Sequence, residues 1–228
     1  MIHADFTEFK ETSGADPFTL QSKKMLKVFL QYGPVKARIG SMVAYQGDAR
    51  FEHGGSGGVS GFLKSKMTGE GVAVMAVTGT GEVFLADMAT EIQVMYLDND
   101  QIWVNGANVL AFSSSLSYDI QRVGGAGAMA GGMYNVTLTG TGYVAITADG
   151  PPLVLDVASA PTFADPQAVV MWTSGVNMSI KSDVSMKTLI GKTSGETFQM
   201  GFSGNGWVMV QPSEGVARGS GTKTGMGF

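Results

Sequence analysis

Cysteine is missing from all 228 residues, and histidine occurs only as His3 and His53. No disulfide can form, and no thiolate zinc site can be built. Two isolated histidines are not spaced as a metal pair, which disfavours a transition-metal jelly-roll enzyme and leaves little acid–base chemistry. Charge is also sparse: 15 Lys and Arg stand against 19 Asp and Glu, a net −4 with pI near 5.1. Nucleic-acid binding draws most of its affinity from clustered cations, so a nucleic-acid partner is unlikely. Lys23, Lys24, Lys27, Lys36 and Arg38 form the densest basic stretch, and we read them as the solvated face of a strand pair.

Long apolar runs are lacking as well. The uncharged span 123–148 has the length of a membrane helix but carries seven glycines, Asn135 and several threonines, and its second half alternates as a strand does. No integral membrane segment is expected. Met1–Ile2–His3–Ala4–Asp5 has neither the basic region nor the apolar stretch of a secretory signal, so a cytoplasmic location is expected. No apolar series at helical spacing is flanked by capping residues, so a helical domain is not expected either.

What the chain has in abundance is glycine, 33 residues, within a composition that is 44% hydrophobic. Collagen periodicity is absent, so the glycines mark tight connections between many short strands. They also recur in register. Val77–Thr78–Gly79–Thr80–Gly81–Glu82–Val83 returns as Leu138–Thr139–Gly140–Thr141–Gly142–Tyr143–Val144, and again as Phe202–Ser203–Gly204–Asn205–Gly206–Trp207–Val208. Upstream, Met42–Val43–Ala44–Tyr45 matches Val109–Leu110–Ala111–Phe112 and Val169–Val170–Met171–Trp172. Val28–Phe29–Leu30, Val94–Met95–Tyr96–Leu97 and Leu153–Val154–Leu155 form a third set. Each aliphatic segment ending in an aromatic suits a strand buried on at least one face.

Self-similarity at a period of about 60 residues defines the architecture. The expected class is all-β: three tandem β-sandwich or jelly-roll-like modules in pseudo-threefold arrangement. The expected limits are an N-terminal arm at 1–18, modules at 19–90, 91–150 and 151–214, and a flexible C-terminal tail at 215–228. A module of this size buries little alone and gains its stability from its neighbours. The paired glycines predict a tight turn or bulge with positive φ, one conformation built three times, in which Gly140→Val is costly. Methionines at Met75, Met171 and Met209 are expected to fill the core.

These residues resemble a family. Leu189–Ile190–Gly191–Lys192–Thr193–Ser194–Gly195–Glu196 through Phe198–Gln199–Met200, then Gly204–Asn205–Gly206–Trp207–Val208–Met209–Val210–Gln211–Pro212–Ser213–Glu214, are similar to the closing segment of a bacterial protein group. That group is named after altered inheritance of mitochondria, member twenty-four, and was formerly a domain of unknown function. Thr68–Gly69–Glu70–Gly71 fits it too, and the resemblance covers roughly 19–214. It implies a fold like the tryptophan-responsive RNA-binding attenuator protein and implies no catalytic residues. The mitochondrial relative is associated with inner-membrane organisation, a role that does not carry over directly to a chain without an evident targeting peptide.

Motifs that suggest chemistry have simpler readings. Gly54–Gly55–Ser56–Gly57–Gly58 matches a serine-hydrolase pattern, but inside a glycine run without the strand–elbow–helix context. Gly191–Lys192–Thr193 lacks the glycine five positions earlier that a phosphate loop requires; Met186 stands there. Asp98–Asn99–Asp100 reads as a turn between two strands rather than a calcium loop. No cofactor or metal is expected. The glycine-rich loops at 54–61, 124–132 and 191–195 fall at matching places, and threefold packing would gather them into a rim. Val59, Phe62, Met129 and Met133 are the candidate apolar contacts of that rim for an unknown protein partner; self-association is left open. The function read from this pattern is a non-enzymatic scaffold or protein-interaction protein. The alternative is a small-ligand-binding protein with a pocket between modules.

Overall fold

The computed structural model describes residues 5–53, 72–122, 134–182 and 198–213. Seven strands occupy the first third: β1 (Phe18–Ser22), β2 (Met25–Phe29), β3 (Val35–Arg38), β4 (Met42–Gln46), β5 (Ala49–His53), β6 (Val74–Gly79) and β7 (Glu82–Leu85). The middle third holds β8 (Glu91–Asn105), β9 (Val109–Ser113), β10 (Ser117–Arg122) and β11 (Tyr134–Ala148). Six more follow: β12 (Leu153–Asp156), β13 (Thr162–Ala164), β14 (Val169–Thr173), β15 (Val176–Ser182), β16 (Phe198–Gly204) and β17 (Trp207–Val210). The helical content among the described residues is three single 3₁₀ turns, at Thr7–Phe9, Leu30–Tyr32 and Gly106–Asn108. The protein is all-β with antiparallel sheets, and no helix among the described residues is long and apolar enough to cross a membrane.

Alternation explains the strands locally. In β3 Val35 and Ala37 are buried while Lys36 and Arg38 lie nearer the surface, and in β6 Met75 and Val77 point inward. The pairings then repeat. In the first third β7 lies between β2 and β4, while β6 lies between β3 and β5. In the last third β17 lies between β12 and β14, while β16 lies between β13 and β15. The middle third makes the same four pairings with longer strands. The C-terminal half of β11 lies between the N-terminal half of β8 and β9; its N-terminal half lies between the C-terminal half of β8 and β10. Even one irregularity recurs: the register slips past Val43, Leu110 and Val170 in the three pairings that β4, β9 and β14 make.

The first and last glycine pairs sit where the chain passes from one sheet to another, and the middle pair lies within β11. Gly79, Gly140 and Gly204 have φ of 128°, 121° and 115°, one backbone geometry made three times, as the sequence predicts. Side chains with a Cβ reach this region only under strain.

Two readings need correction. Asp98–Asn99–Asp100 is not a turn between separate strands, because β8 runs unbroken from Glu91 to Asn105. The opposite strand, β11, is equally continuous through Gly140–Thr141–Gly142, so the register slips there and Asn99 takes φ of 51°. Nor is the basic stretch one solvated face. Lys27 is buried, with its ammonium against Glu11 and 3.1 Å from Glu82.

Neighbouring thirds are joined by backbone. β3 pairs with β9, and the C-terminal half of β8 pairs with β14. Three apolar clusters cross the same boundaries: Leu110 and Ile92 pack with Val28 and Leu85, while Met171 and Met209 pack with Val104 and Leu138. Trp103 packs against the last third, its ring stacked on Trp172 at 6.2 Å and 4°. Met75, Met171 and Met209 are core residues, as expected.

Candidate interaction surface

The three aliphatic–aromatic segments have equivalent sequences and unequal fates. Val109–Leu110–Ala111–Phe112 in β9 and Val169–Val170–Met171–Trp172 in β14 are buried at every position. Met42–Val43–Ala44–Tyr45 in β4 is exposed at every position. The sharpest contrast is at the residue past which the register slips: Leu110 and Val170 are 0% exposed, Val43 is 55%. The cause lies in the pairing. β9 has β3 on its outer side and β14 has β8, whereas β4 pairs with β7 alone among the described residues.

The missing neighbour has a counterpart at the other end of the chain. β13 is the last-third equivalent of β3 and of the C-terminal half of β8. Among the described residues it pairs with β16 alone. Phe163 is 48% exposed on it, with the Lys181 ammonium 4.1 Å from its ring centroid. Natural edge strands are usually guarded by lysine, proline, or charge pointing inward. β4 carries none of these: Met42–Val43–Ala44–Tyr45–Gln46 is uncharged. Pro161 precedes β13, and the strand itself is Thr162–Phe163–Ala164.

A polar cluster lies beside the β4 edge. Burial on its own would push the Lys27 ammonium down, but the carboxylates of Glu11 and Glu82 outweigh it and hold its pKa above the ordinary lysine value. The hydrogen bond from Lys27 in turn holds the Glu11 carboxyl below its usual range. Gln46 of β4 donates its side-chain N–H to Glu11 at 3.2 Å. Gln21 secures the same segment, donating to the Lys10 carbonyl at 3.0 Å and accepting from the Thr12 backbone at 2.9 Å. Residues 10–12 are thereby fastened to the face of the β1–β2–β7–β4 sheet.

Val59, Phe62, Met129 and Met133, the residues the sequence nominates for a partner rim, lie outside the described residues, as do Gly54–Gly58 and Gly191–Thr193. Their flanking strands are described: segments 54–71, 123–133 and 183–197 each lie within the connection of an equivalent antiparallel hairpin, β5–β6, β10–β11 and β15–β16. No group of three His, Asp or Glu side chains suited to a metal ion occurs among the described residues. The β4 edge was missed by sequence reasoning because its residues match those of β9 and β14. The segment itself carries no signal that separates it from them; only the pairing does.

The geometry defines a class: an all-β protein of antiparallel sheets shared between consecutive segments of chain. The chain belongs to the family described as Mitochondrial biogenesis AIM24, whose profile matches residues 18–213. Among solved structures it is similar to an X-ray crystal structure of a Streptococcus pyogenes protein from a structural genomics programme. The two align with a TM-score of 0.69 at 22% identity, covering 86% of this chain and 92% of that one. At that identity the likeness concerns the fold. No functionally curated protein matches the chain.

Proposed function

We propose that this protein is a non-enzymatic scaffold made of three fused β modules, which presents three equivalent hairpin connections to a protein partner. The observation that carries this reading is the recurrence of the same four strand pairings in each third, with a glycine-rich segment at the same connection every time. Deeply placed polar side chains support it through what they do. Arg38 donates to the carbonyls of Gly106, Ala107 and Val109 at 2.6 to 2.8 Å, joining the first module to the second. Asn105 donates to the Val169 carbonyl at 3.2 Å across the next boundary. Asn108 donates to Thr147 and to Gln211, which also accepts from the Asp149 backbone. These groups connect strands.

The test is a deletion of 125–131 in the second connection. The shortened chain should keep its melting temperature within a few degrees and lose capture of the partner that the full chain retains. Undiminished capture contradicts the rim. Native mass spectrometry separates the alternative: a mass above 23.8 kDa per chain by the weight of a small molecule favours ligand binding between modules.

A further inference from the structure

The N-terminal segment that lies on the β1–β2–β7–β4 sheet is a strap that buries nothing of its own. Lys27, Phe29 and Phe84 share the sheet face beneath it and are buried, whereas no residue from Asp5 to Pro17 is. The large apolar side chains of the segment, Phe6 and Phe9, are exposed. No backbone-to-backbone hydrogen bond among the described residues joins residues 10–16 to a strand. Three polar side chains hold the strap instead. The Gln21 carboxamide donates to the Lys10 carbonyl at 3.0 Å and accepts from the Thr12 N–H at 2.9 Å. Lys27 sets its ammonium against the Glu11 carboxylate and 3.4 Å from the Thr12 carbonyl, and Gln46 donates to the other Glu11 oxygen at 3.2 Å.

We propose that residues 10–14 occupy, within the chain, a docking site for an extended, glutamate-bearing peptide segment of another protein, which binds by displacing them. Gln21 reads main chain alone: its carboxamide bonds the groups on either side of residue 11, and any extended peptide offers those groups. The side chain between them is read by charge. An ammonium has three N–H donors, and Glu82 at 3.1 Å takes only part of that capacity. Glu82 stays beside Lys27 when the strap leaves, so the opened site keeps its cation paired. The donors that had faced Glu11, on Lys27 and Gln46, then lack a partner, and an incoming carboxylate satisfies both. The Phe29 ring, 4.3 Å from the ammonium, holds it in place for that purpose. Shape adds a second requirement. A Cβ at Gly14 would run into the Thr19 side chain, so the segment that fits carries glycine three positions after its glutamate.

The strand pairings show why this face differs from its counterparts. Lys27 faces Phe84 in the first third of the chain, as Val94 faces Ala145 and Val154 faces Met209 in the other two. Ala145 packs into a cluster with Val28 and Leu85 of the first third, and Met209 into one with Val104 and Leu138 of the middle third. Those faces receive an apolar neighbour. Over Lys27 lies only a short polar segment held by side chains. A buried cation with Gln21, Gln46 and Glu82 around it does not suit an apolar sheet, and it does suit an extended chain that brings a carboxylate.

This site stands apart from the glycine-rich connections, so its failure leaves the rim reading untouched. The test uses the full chain. Glu11→Ala together with Thr12→Pro removes the carboxylate and the N–H that hold the strap and leaves the sheet unaltered. The probe is an end-blocked, dye-labelled peptide with the sequence of residues 7–17, titrated by fluorescence anisotropy. Saturable binding is expected to the double variant, and binding about tenfold or more weaker to the unmodified chain, whose own strap competes. Peptides carrying Glu11→Gln or Gly14→Val should each bind about tenfold or more weakly, the loss of one charge-assisted contact or of close fit. Adding Lys27→Met to the double variant should abolish capture. Gln46→Met, at an exposed position, should weaken capture about tenfold and serves if the Lys27 variant does not fold. No binding to the double variant, equal affinity for the double variant and the unmodified chain, or equal binding of the Glu11→Gln peptide overturns the proposal. Capture seen only in chains whose sedimentation mass also changes assigns the site to a second copy and overturns it as well.

Discussion

Substituting alanine at the recurrent glycine in each third of the chain should destabilise the fold by unequal amounts. Gly79, Gly140 and Gly204 share a φ between 115° and 128°, and forcing a residue with a Cβ there costs about 1–3 kcal/mol. Their surroundings differ. A Cβ at Gly140 would lie 3.7 Å from Leu116 Cδ2, an ordinary contact, so conformational strain is the whole penalty. A Cβ at Gly79 would lie 2.0 Å from the Asp48 carbonyl oxygen, which accepts from Thr80 at 2.9 Å and Gly81 at 3.1 Å. Moving that carbonyl weakens both bonds, at about 1 kcal/mol each. At Gly204 the obstacle is the Gly175 oxygen, 2.5 Å away, which accepts one such bond, from Asn205 at 2.9 Å. The order of loss is therefore Gly79 first, Gly204 next and Gly140 last. In total Gly79→Ala should cost about 3–5 kcal/mol and Gly140→Ala about 1–3. Urea midpoints at constant slope measure this directly. Equal losses at the three sites, or the greatest loss at Gly140, would refute the assignment of one corner conformation in three different settings.

Tyr45 and Trp172 hold the same place in their thirds of the chain, opposite Val83 and Val208, but only Trp172 is buried, so Trp172→Ala should cost about 3–5 kcal/mol and Tyr45→Ala about 1 or less, read from the same urea curves. Arg38→Met removes three hydrogen bonds across the first boundary and should lower the melting temperature by several degrees, at about 2–4 °C per kcal/mol for a chain of this size. Glu11 has a depressed carboxyl pKa, so its contribution is present above its unfolded value near 4.5 and fades as pH falls through the folded one. Lys27 is raised, so its contribution is full below about 10.5 and fades as pH climbs past its folded value. Glu11→Gln should flatten the acid side of the stability–pH profile, and Lys27→Met both sides; an unchanged profile for either shows that the ion pairs do not couple to folding.

Much of the fold was legible because the repeat carries its own punctuation. The Gly-x-Gly corners, the aliphatic–aromatic strands and the buried methionines all follow from local backbone and packing demands. Short strands without such marks were harder: Thr162–Phe163–Ala164 between two prolines offers no alternation to read, yet it occupies the position of Val35–Lys36–Ala37. The Asp98–Asn99–Asp100 segment misled because good turn residues also suit a bulge, and only the unbroken partner strand decides between them. Lys27 looked solvated among its neighbours because its two carboxylates come from residues 16 positions before it and 55 after it. The candidate surface was illegible for a related reason. Burial of β9 and β14 comes with β3 and β8, which pair on their outer sides, and no property of Met42–Val43–Ala44–Tyr45 itself reports that β4 has no such neighbour among the described residues.

Hydrogen exchange tests the central claim, that equivalent strands owe their burial to the neighbour they pair with, most directly. The outward-facing amides of Met42–Gln46 should exchange fast while those of Leu110–Phe112 and Val170–Trp172 stay protected. Equal protection of all three strands contradicts the account.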